Sequence, residues 1–298
     1  MTIINNDANA ATIAGPDPHT RTPRFALPAD ACDSHCHIFG PASRYPYAPG
    51  RAYTPPDAPL EMFAALQAKL GIGRAVIVNA SCHGSDNRPV TDAIAQSNGR
   101  YRGIANVSVE TTDRELQDLK EAGIDGCRFA FLKRLGTGAD MSSFHRIVER
   151  IAPLGWHVDI YLDPDTVTAF APMLSKLPIP YVIDHMGTVA ASQGVTQPNF
   201  MALLDLLRSD EKCWVKITGL ERASVIGAPF TDAVPFAAQL VQTAPDRVLW
   251  GTDWPHPNLK RMPNDADLVD VVAAYAPDAA TRQKLLVDNP SRLFGFTR

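Results

Sequence analysis

The feature that most constrains the fold is a regular alternation of short β-rich runs with segments of helical periodicity. The predicted strands are ACDSHCH (31–37), RAVIVNAS (74–81), YRGIANVSV (101–109), DGCRFAF (125–131), WHVDIYL (156–162), YVIDHM (181–186), CWVKITG (213–219) and RVLWGTD (247–253). The predicted helices between them include PLEMFAALQAKL, DRELQDLKEAG, SSFHRIVERIAP, NFMALLDLLRSD and TDAVPFAAQLVQT. Eight such strand–helix units predict an α/β fold, the (β/α)8 TIM barrel.

An open, doubly wound sheet is the alternative fold for the same alternation of elements. Its nucleotide-binding versions need a Gly-rich phosphate loop after the first strand, and none follows residue 37. The sequence shows neither an internal repeat nor a linker that would divide the chain. We therefore predict one barrel domain at 28–298, preceded by a short irregular N-terminal arm at 1–27.

Charge and cysteine content narrow the class of partner. The formal net charge of −4 provides no basic face for nucleic acid and no polybasic segment for a membrane surface. Neither a signal peptide nor a membrane span is predicted. The five cysteines have no paired or zinc-ribbon spacing, which favours free thiols in the cytoplasm. The expected partner is a small molecule, and the oligomeric state is left open.

Polar side chains interrupt the predicted strands near their C-terminal ends. Catalytic residues of a (β/α)8 barrel come from those ends and from the loops that follow them. Scattered polar residues would instead favour structural roles. The polar residues at these positions are His35, His37, Ser81, His83, Arg128, Tyr161, His185 and Asp253.

The first strand contains the run DSHCH, in which side chains alternate between two faces. Asp33, His35 and His37 therefore share a face, and both imidazoles can enter the barrel mouth while Asp33 orients one ring. A lone histidine at such a position is more often a core residue, but a pair favours metal ligation, proton transfer or oxyanion stabilisation. Asp253, two residues before Pro255, has an alternative role as a turn residue.

These histidines, together with His185 and Asp253 after later strands, resemble the ligand pattern of the amidohydrolase superfamily. The runs PADACDSHCHIFGP, IVNASCHGSDN, GCRFAFLKR, VIDHMG and VLWGTDWPHPN are similar, in barrel order, to 2-pyrone-4,6-dicarboxylate lactonases of the amidohydrolase-2 branch. The resemblance implies a carboxylic ester hydrolase that opens an anionic lactone in the degradation of aromatic compounds. The leading substrate would be 2-pyrone-4,6-dicarboxylate.

The resemblance also implies roles for individual residues. Asp253 would be the general base for water, while His35, His37 and His185 would polarise the lactone carbonyl. This division suits ester hydrolysis, which needs donors for a developing oxyanion and a base near the water. The family pattern predicts RFNF where this chain reads RFAF, so Ala130 puts the substrate preference in question. The residues implied to bind the acidic groups are Tyr53, Ser81, Arg128, Arg134, Tyr161 and Arg222.

Arginine is suited to acidic substrates because its guanidinium pairs with a carboxylate through two charge-assisted hydrogen bonds. Arg128 lies inside an apolar strand, where an unpaired charge is costly, so it should face an anion of the substrate or an internal carboxylate. Asp33 and Asp184 are the candidates for such an internal pair. Four of the implied residues have ordinary alternatives as surface or rim side chains: Arg134, Arg222, Tyr53 and Tyr161.

The metal requirement is open from the residues alone. Two-metal members of the superfamily use a carboxylated lysine at the end of the fourth strand, and Lys133 falls past that position, so a binuclear centre is not expected. A single Zn²⁺ held by His35, His37, His185 and Asp253 is chemically reasonable. The lactonases that the chain resembles work without metal, and we expect no obligatory cofactor.

Three alternative functions remain compatible with the sequence. A 4-sulfomuconolactone hydrolase that uses one Zn²⁺ would also need arginines, because a sulfonate is an anion. A metal-dependent decarboxylase of an aromatic acid would share the barrel but need metal and a different set of arginines. A barrel that binds an acid without catalysing a reaction would keep the pocket and show no turnover.

Overall fold

The predicted strands form one sheet of eight parallel strands that curves into a barrel. The computed structural model describes residues 11–132 and 141–296. Spatial order in the sheet follows chain order, as a (β/α)8 barrel requires, and the predicted fold is confirmed. The strands are β1 (Ala11–Thr12), β2 (Cys32–Cys36), β3 (Tyr53–Thr54), β4 (Arg74–Val78), β5 (Tyr101–Ala105), β6 (Ile124–Phe131), β7 (His157–Leu162), β8 (Tyr181–Ile183), β9 (Cys213–Ile217) and β10 (Val248–Trp250), of which β1 and β3 pair outside the barrel.

The barrel closes between β2 and the segment that follows β10. The backbone N–H of Asp253 donates to the carbonyl of His35 at 2.8 Å, and the N–H of His37 donates to the carbonyl of Trp254 at 2.7 Å. The last strand is short, so these bonds form beyond its end. Closure therefore brings the first histidine pair directly beside Asp253.

Helices follow the strands and cover the outside of the barrel. The helix Met141–Ile151 shows how: its buried residues are Phe144, Ile147, Val148 and Ile151, and their spacing places them on one face. No helix in the described ranges combines the length and apolar character needed to cross a membrane. The helices are α1 (Leu60–Leu70), α2 (Arg88–Gln96), α3 (Asp113–Glu121), α4 (Met141–Ile151), α5 (Val167–Leu174), α6 (Pro198–Ser209), α7 (Leu220–Ala223), α8 (Val234–Thr243), α9 (Asp265–Asp270), α10 (Val272–Tyr275), α11 (Ala279–Gln283) and α12 (Asn289–Phe294).

Local sequence signals fix several helix ends. Thr112 caps α3: its Oγ1 accepts a hydrogen bond from Glu115 N at 3.2 Å, and Glu115 Oε2 accepts one from Thr112 N at 2.7 Å. This reciprocal capping box satisfies two backbone donors that the first turn leaves unpaired. At the end of α1, Gly71 adopts a left-handed conformation with φ of 79°, which an L side chain rarely takes.

The interior of the barrel is apolar at one end and polar at the other. Trp214 belongs to an apolar cluster with Val76, Val182 and Leu249. Lys216 lies two residues further along β9 and so on the same face as Trp214, yet its side chain is completely buried. The interior thus changes from packed apolar residues to charged ones toward the C-terminal ends of the strands.

Residues 11–27 lie against the barrel without forming a helix. Thr20 Oγ1 donates to Asp265 Oδ2 at 3.2 Å, and Arg21 Nη2 lies 2.5 Å from Asp267 Oδ1 and 2.6 Å from Asp270 Oδ2. These contacts tie the segment to α9. The boundary between arm and barrel at residue 27 remains a prediction.

Candidate active site

The histidines and the aspartate singled out in the sequence converge at the C-terminal end of the barrel. The ring of His35 lies 5.1 Å from the ring of His37 and 4.8 Å from the ring of His185, centroid to centroid. Asp253 Oδ1 lies 3.3 Å from His37 Nε2 and 3.6 Å from His35 Nε2. All four side chains are at most 4% exposed, so the cluster is shielded from bulk water.

His185 and Asp253 lie beyond the ends of the strands that were predicted to contain them. β8 ends at Ile183, and His185 lies in the 3₁₀ segment Asp184–Thr188 with φ of 51°. β10 ends at Trp250, and Asp253 has φ of 63°. Both residues adopt the left-handed conformation, which is uncommon outside glycine and ends the strand geometry. The side chains turn into the barrel mouth as a result.

Asp253 is held by a cation as well as by the imidazoles. Arg222 donates to Asp253 Oδ2 from Nε at 2.8 Å and from Nη2 at 2.5 Å. Burial alone would raise the pKa of Asp253, but the charge of Arg222, together with interactions with the nearby imidazoles that include a hydrogen bond from His37, outweighs burial and holds the pKa well below its usual range. Asp253 is therefore a carboxylate in this structure, and it is a weak base while Arg222 holds it.

The three rings have different hydrogen-bond partners. Nδ1 of His37 donates to the carbonyl of Val78 at 2.8 Å, and Nδ1 of His185 lies 2.7 Å from Thr218 Oγ1. Burial lowers the pKa of His185 to about 4, so this ring is neutral at physiological pH. Burial and the charge of Lys216 together lower the pKa of His35 well below its usual range.

Asp33 does not orient an imidazole ring, contrary to the prediction. Its carboxylate accepts hydrogen bonds from Thr252 N at 3.0 Å, Thr252 Oγ1 at 2.5 Å and the backbone N–H of His35 at 3.1 Å. The carboxylate beside the His35 ring is Asp184, whose Oδ1 lies 3.3 Å from Nδ1. Asp33 instead joins β2 to the segment after β10, where the barrel closes.

Arg128 takes part in both of the interactions considered for it. Its Nε donates to Asp184 Oδ2 at 2.8 Å, which is one of the two internal pairs expected from the sequence. The guanidinium also lies 4.8 Å from the centre of the Tyr161 ring and lines the central cavity. The remaining predicted arginine, Arg134, lies outside the described residues.

Sequence reasoning missed a charged network beneath the histidines. Lys216 Nζ contacts Asp159 Oδ2, Asp184 Oδ1 at 3.3 Å and His35 Nδ1 at 3.1 Å. All of these side chains are fully buried. The signal was available, because Lys216 and Asp159 interrupt apolar strands just as Arg128 does.

A cavity of about 560 Å³ opens above the cluster, a volume typical of small-molecule sites. His37, His185, Arg128 and Arg222 line it, whereas Asp253 lies beneath its surface and is 1% exposed. Three further residues that were predicted from the sequence line the cavity, and so do four neutral polar residues that were not predicted. These are Tyr53, Ser81 and Tyr161, and Asn79, Ser85, Asn106 and Ser108.

Part of the cluster fits the geometry of a single metal ion. Asp253 Oδ1 lies 3.3 Å from His37 Nε2 and 3.6 Å from His35 Nε2. These separations suit three ligands of one tetrahedral ion with bonds of about 2.0 to 2.2 Å. Within the described chain, His35 Nε2 has no hydrogen-bond partner, as an unfilled ligand position requires. His185 groups with His35 and Asp184 instead of with Asp253. Arg222 already compensates the charge of Asp253, and a metal would have to share that carboxylate.

Comparison with known proteins places this chain in a family. A 2-pyrone-4,6-dicarboxylate hydrolase of Comamonas testosteroni is 46% identical over 281 residues, which cover 91% of this chain and 92% of that protein. A 4-sulfomuconolactone hydrolase of Hydrogenophaga intermedia is 44% identical over 285 residues, covering 94% of each chain.

A solved structure extends the likeness to three dimensions. The citrate-bound structure of a candidate 2-pyrone-4,6-dicarboxylic acid hydrolase of Acinetobacter baumannii is 26% identical, has a TM-score of 0.77, and covers 90% of this chain and 100% of that one. The amidohydrolase family model matches residues 32–296, which is nearly the whole described barrel. This chain therefore belongs to the amidohydrolase family.

Proposed function

We propose that this chain is a lactonase that hydrolyses a small cyclic ester carrying acidic substituents, with 2-pyrone-4,6-dicarboxylate as the leading substrate. The observation that carries the proposal is the shared cavity, where Arg128 and Arg222 lie beside the imidazoles of His37 and His185. Cations for an anionic substrate and groups for an ester carbonyl thus face one space. The relatives named for lactone hydrolysis support the same reaction.

The arginines are the proposed anchors for the acidic groups. Their hydrogen bonds to the described residues use Nε and Nη2, so Nη1 of each can donate to a ligand. A guanidinium paired with a carboxylate gives short, charge-assisted hydrogen bonds. Tyr53, Ser81 and Tyr161 would add neutral donors, and Arg134 is proposed with them from the sequence alone.

The imidazoles are the proposed stabilisers of the oxyanion. When water adds to the lactone carbonyl, negative charge develops on its oxygen, and donors already fixed in a buried site stabilise that charge strongly. The rings of His37 and His185 lie 5.1 and 4.8 Å from the ring of His35, centroid to centroid. Without substrate, Nε2 of His185 accepts from Arg128 Nη2 at 3.4 Å, so His185 donates to the oxyanion only once Arg128 turns to an acidic group and Thr218 Oγ1 donates to Nδ1. Removal of one such donor typically lowers the rate by about 10²- to 10³-fold.

Asp253 is the proposed base. It takes a proton from water as the water oxygen bonds to the carbonyl carbon, and the ring C–O bond then breaks. The leaving ring oxygen takes the proton that Asp253 removed from water, which regenerates the carboxylate, and the single product is the ring-opened acid in its enol or keto form. An acidic group of the substrate that draws Arg222 to itself would weaken the hold of Arg222 on Asp253 and strengthen the base.

No obligatory metal is part of this proposal. If one Zn²⁺ binds, His35, His37 and Asp253 would hold it, and it would supply Lewis-acid polarisation of water or of the carbonyl. The residues described above would still bind the acidic groups and exclude bulk water. The five buried, unpaired cysteines support the proposal of a reducing cytoplasmic setting.

A second candidate substrate is 4-sulfomuconolactone. The relative named for that substrate is nearly as similar as the one named for the pyrone dicarboxylate, and a sulfonate is also an anion that arginines bind. Ala130 lines the cavity at a position where the pyrone lactonases are expected to have a polar side chain. This difference is the reason to test both lactones.

The test is the turnover of both lactones by purified protein, before and after treatment with a chelator. Ring opening of the pyrone lowers its ultraviolet absorbance, so the initial rate is read directly. We expect hydrolysis that persists after chelation and is lost in Asp253→Asn. Loss of turnover after chelation, with recovery on addition of Zn²⁺, would contradict the metal-free mechanism. Release of CO2 would favour a decarboxylase, and binding without turnover would favour a non-catalytic barrel.

A further inference from the structure

Lys216 is a completely buried ammonium group with no assigned part in the reaction described above. It lies in β9, and its Nζ contacts the carboxylates of Asp159 and Asp184, the latter at 3.3 Å. These two carboxylates compensate its charge, which explains how it is tolerated inside the barrel. They do not explain why the third neighbour of Nζ is His35.

Nδ1 of His35 lies 3.1 Å from Lys216 Nζ, within hydrogen-bond distance. An ammonium has three donors and no acceptor, so this bond forms only if Nδ1 carries no proton. A proton on Nδ1 would face the hydrogens of Nζ and leave one of them without an acceptor in a buried site. Asp184 Oδ1, at 3.3 Å from Nδ1, is the competing acceptor for such a proton, but the contact lacks the geometry of a hydrogen bond, and the same oxygen lies 3.3 Å from Lys216 Nζ, whose charge it compensates.

We propose that Lys216 is a positioning residue for the hydrolysis proposed above: by donating to Nδ1 of His35, it places the ring proton on Nε2. The inference deepens the proposed function and rests on it for its catalytic consequence. The position of the proton itself depends on the contacts of Nδ1 with Lys216 and Asp184, and not on the substrate.

A proton on Nε2 gives His35 a donor where the reaction needs one. Nε2 lies 3.6 Å from Asp253 Oδ1 and, among the described residues, has no hydrogen-bond partner. The ring packs against His37 and His185, both of which line the cavity. An N–H fixed there before substrate binds needs no reorganisation to stabilise an oxyanion.

The same placement of the proton opposes metal binding at His35. A metal bound to Nε2 needs the lone pair of that nitrogen, and the proton must then be lost or move to Nδ1, where Lys216 lies. The group of His35, His37 and Asp253 has spacing that suits an ion. Lys216 would therefore lower its affinity for Zn²⁺ without touching the ion.

The first test is ¹⁵N NMR of histidine-labelled wild-type protein without substrate. The His35 signals are identified by their loss in His35→Gln, and coupling to ring protons shows which nitrogen carries the proton. We expect the proton on Nε2 and an unprotonated Nδ1. A proton on Nδ1 overturns the proposal.

Two variants then separate a positioning role from a structural one. Lys216→Met removes the donor, whereas Lys216→Gln retains an N–H that can reach toward Nδ1. We expect Lys216→Met to shift the His35 proton toward Nδ1, to bind Zn²⁺ more tightly by calorimetry, and to lower kcat by about 10²-fold with KM changed only a few-fold. Lys216→Gln should keep the proton on Nε2 and recover part of kcat.

Lys212→Met is the matched control, because Lys212 is a partly exposed lysine that contacts Asp210 at 3.8 Å. It should leave the proton, zinc affinity and kcat unchanged. Retention of the Nε2 proton in a folded Lys216→Met variant would contradict the role of Lys216. If that variant does not fold, the wild-type spectrum still decides, because a proton on Nδ1 there contradicts the role of Lys216.

The result is separable from the proposed function because the spectrum needs no substrate. A proton on Nε2 in a protein that hydrolyses neither lactone supports the inference about Lys216 and rejects the function. A proton on Nδ1 in a protein that hydrolyses a lactone rejects the inference and supports the function.

Discussion

Arg222 binds one oxygen of Asp253 through two nitrogens, Nε at 2.8 Å and Nη2 at 2.5 Å. Arg222 also lines the cavity, whereas Asp253 lies beneath it. One guanidinium therefore contacts both the proposed base and the space where the acidic group of a substrate would bind. An anionic substrate that engages Arg222 would therefore make Asp253 a stronger base.

Arg222→Gln should remove the preference for an anionic substrate. The variant loses a charge-assisted pair with the substrate, worth about 1.5 to 3 kcal/mol, and so KM for the dicarboxylate should rise at least about tenfold. The measurement is kcat/KM for the lactone and for its neutral dimethyl ester. Wild type should discriminate between them strongly and the variant weakly.

Arg208→Gln is the control for that experiment, since Arg208 is a half-exposed arginine paired with Asp205 on α6. It should behave as wild type with both substrates. An Arg222→Gln variant that still prefers the dicarboxylate would separate Arg222 from substrate recognition.

Arg128→Met should affect both binding and stability. Arg128 faces the cavity, so the dissociation constant of the dicarboxylate should rise by more than about tenfold, or roughly 1.4 kcal/mol. It also pairs with the buried Asp184, and loss of one partner of a buried pair costs about 3 to 5 kcal/mol in the free energy of unfolding. Calorimetric binding and urea unfolding measure the two effects. A lower stability with unchanged binding would leave Arg128 as an internal partner of Asp184 only.

Asp253→Asn should stop turnover while preserving the binding of substrate. The amide keeps the shape of the side chain but cannot take a proton from water, and a lost general base lowers kcat by about 10²- to 10⁴-fold. Protection of the folded protein against heat by the lactone should persist, because Arg222 is then free to bind it. A variant with kcat close to wild type would remove Asp253 from the role of base.

His256 should make the free energy of unfolding depend on pH in the alkaline range. Burial opposes its charge, but Asp265 at 2.9 Å and the nearby Glu221 outweigh burial and raise the pKa of His256 to about 10, from 6.5. The folded state therefore keeps a proton that the unfolded state loses. The stabilisation is complete below pH 6.5 and is lost as the pH rises through 10.

The measurement is the melting temperature of wild type and His256→Gln between pH 6.5 and 10. The two proteins should differ most at the acid end and converge toward the alkaline end. His145→Gln, on the outer face of α4, is the control and should follow wild type. Curves that stay parallel for wild type and His256→Gln would show that His256 does not carry the effect.

The sequence predicted the barrel because each strand and helix has its own local signal. Apolar runs bounded by turns mark the strands, and Phe144, Ile147 and Ile151 show how a helical spacing becomes a buried face. The ends of the strands were less predictable. His185 and Asp253 have positive φ angles. Asp and His are enriched among the non-glycine residues that adopt them, but this weak preference does not locate the end of a strand.

The convergence of these side chains was predictable from the sequence, but their pairing was not. His35, His37, His185 and Asp253 were selected because polar groups at strand ends meet at one end of a barrel. Which cation pairs with which carboxylate depends on distances across the barrel, and so Arg222 beside Asp253 could not be foreseen. Lys216 carried a usable signal, a charge within an apolar strand, and that signal was applied only to Arg128.

The most direct test of the account is hydrolysis of 2-pyrone-4,6-dicarboxylate and 4-sulfomuconolactone in water labelled with ¹⁸O, followed by mass spectrometry of the product. Attack of water on the lactone carbonyl predicts one ¹⁸O in the newly formed carboxylate and no loss of CO2. This should occur with wild-type protein and not with Asp253→Asn. A product without ¹⁸O, or one that has lost CO2, would contradict the claim that the cluster of histidines and Asp253 directs water to an ester carbon.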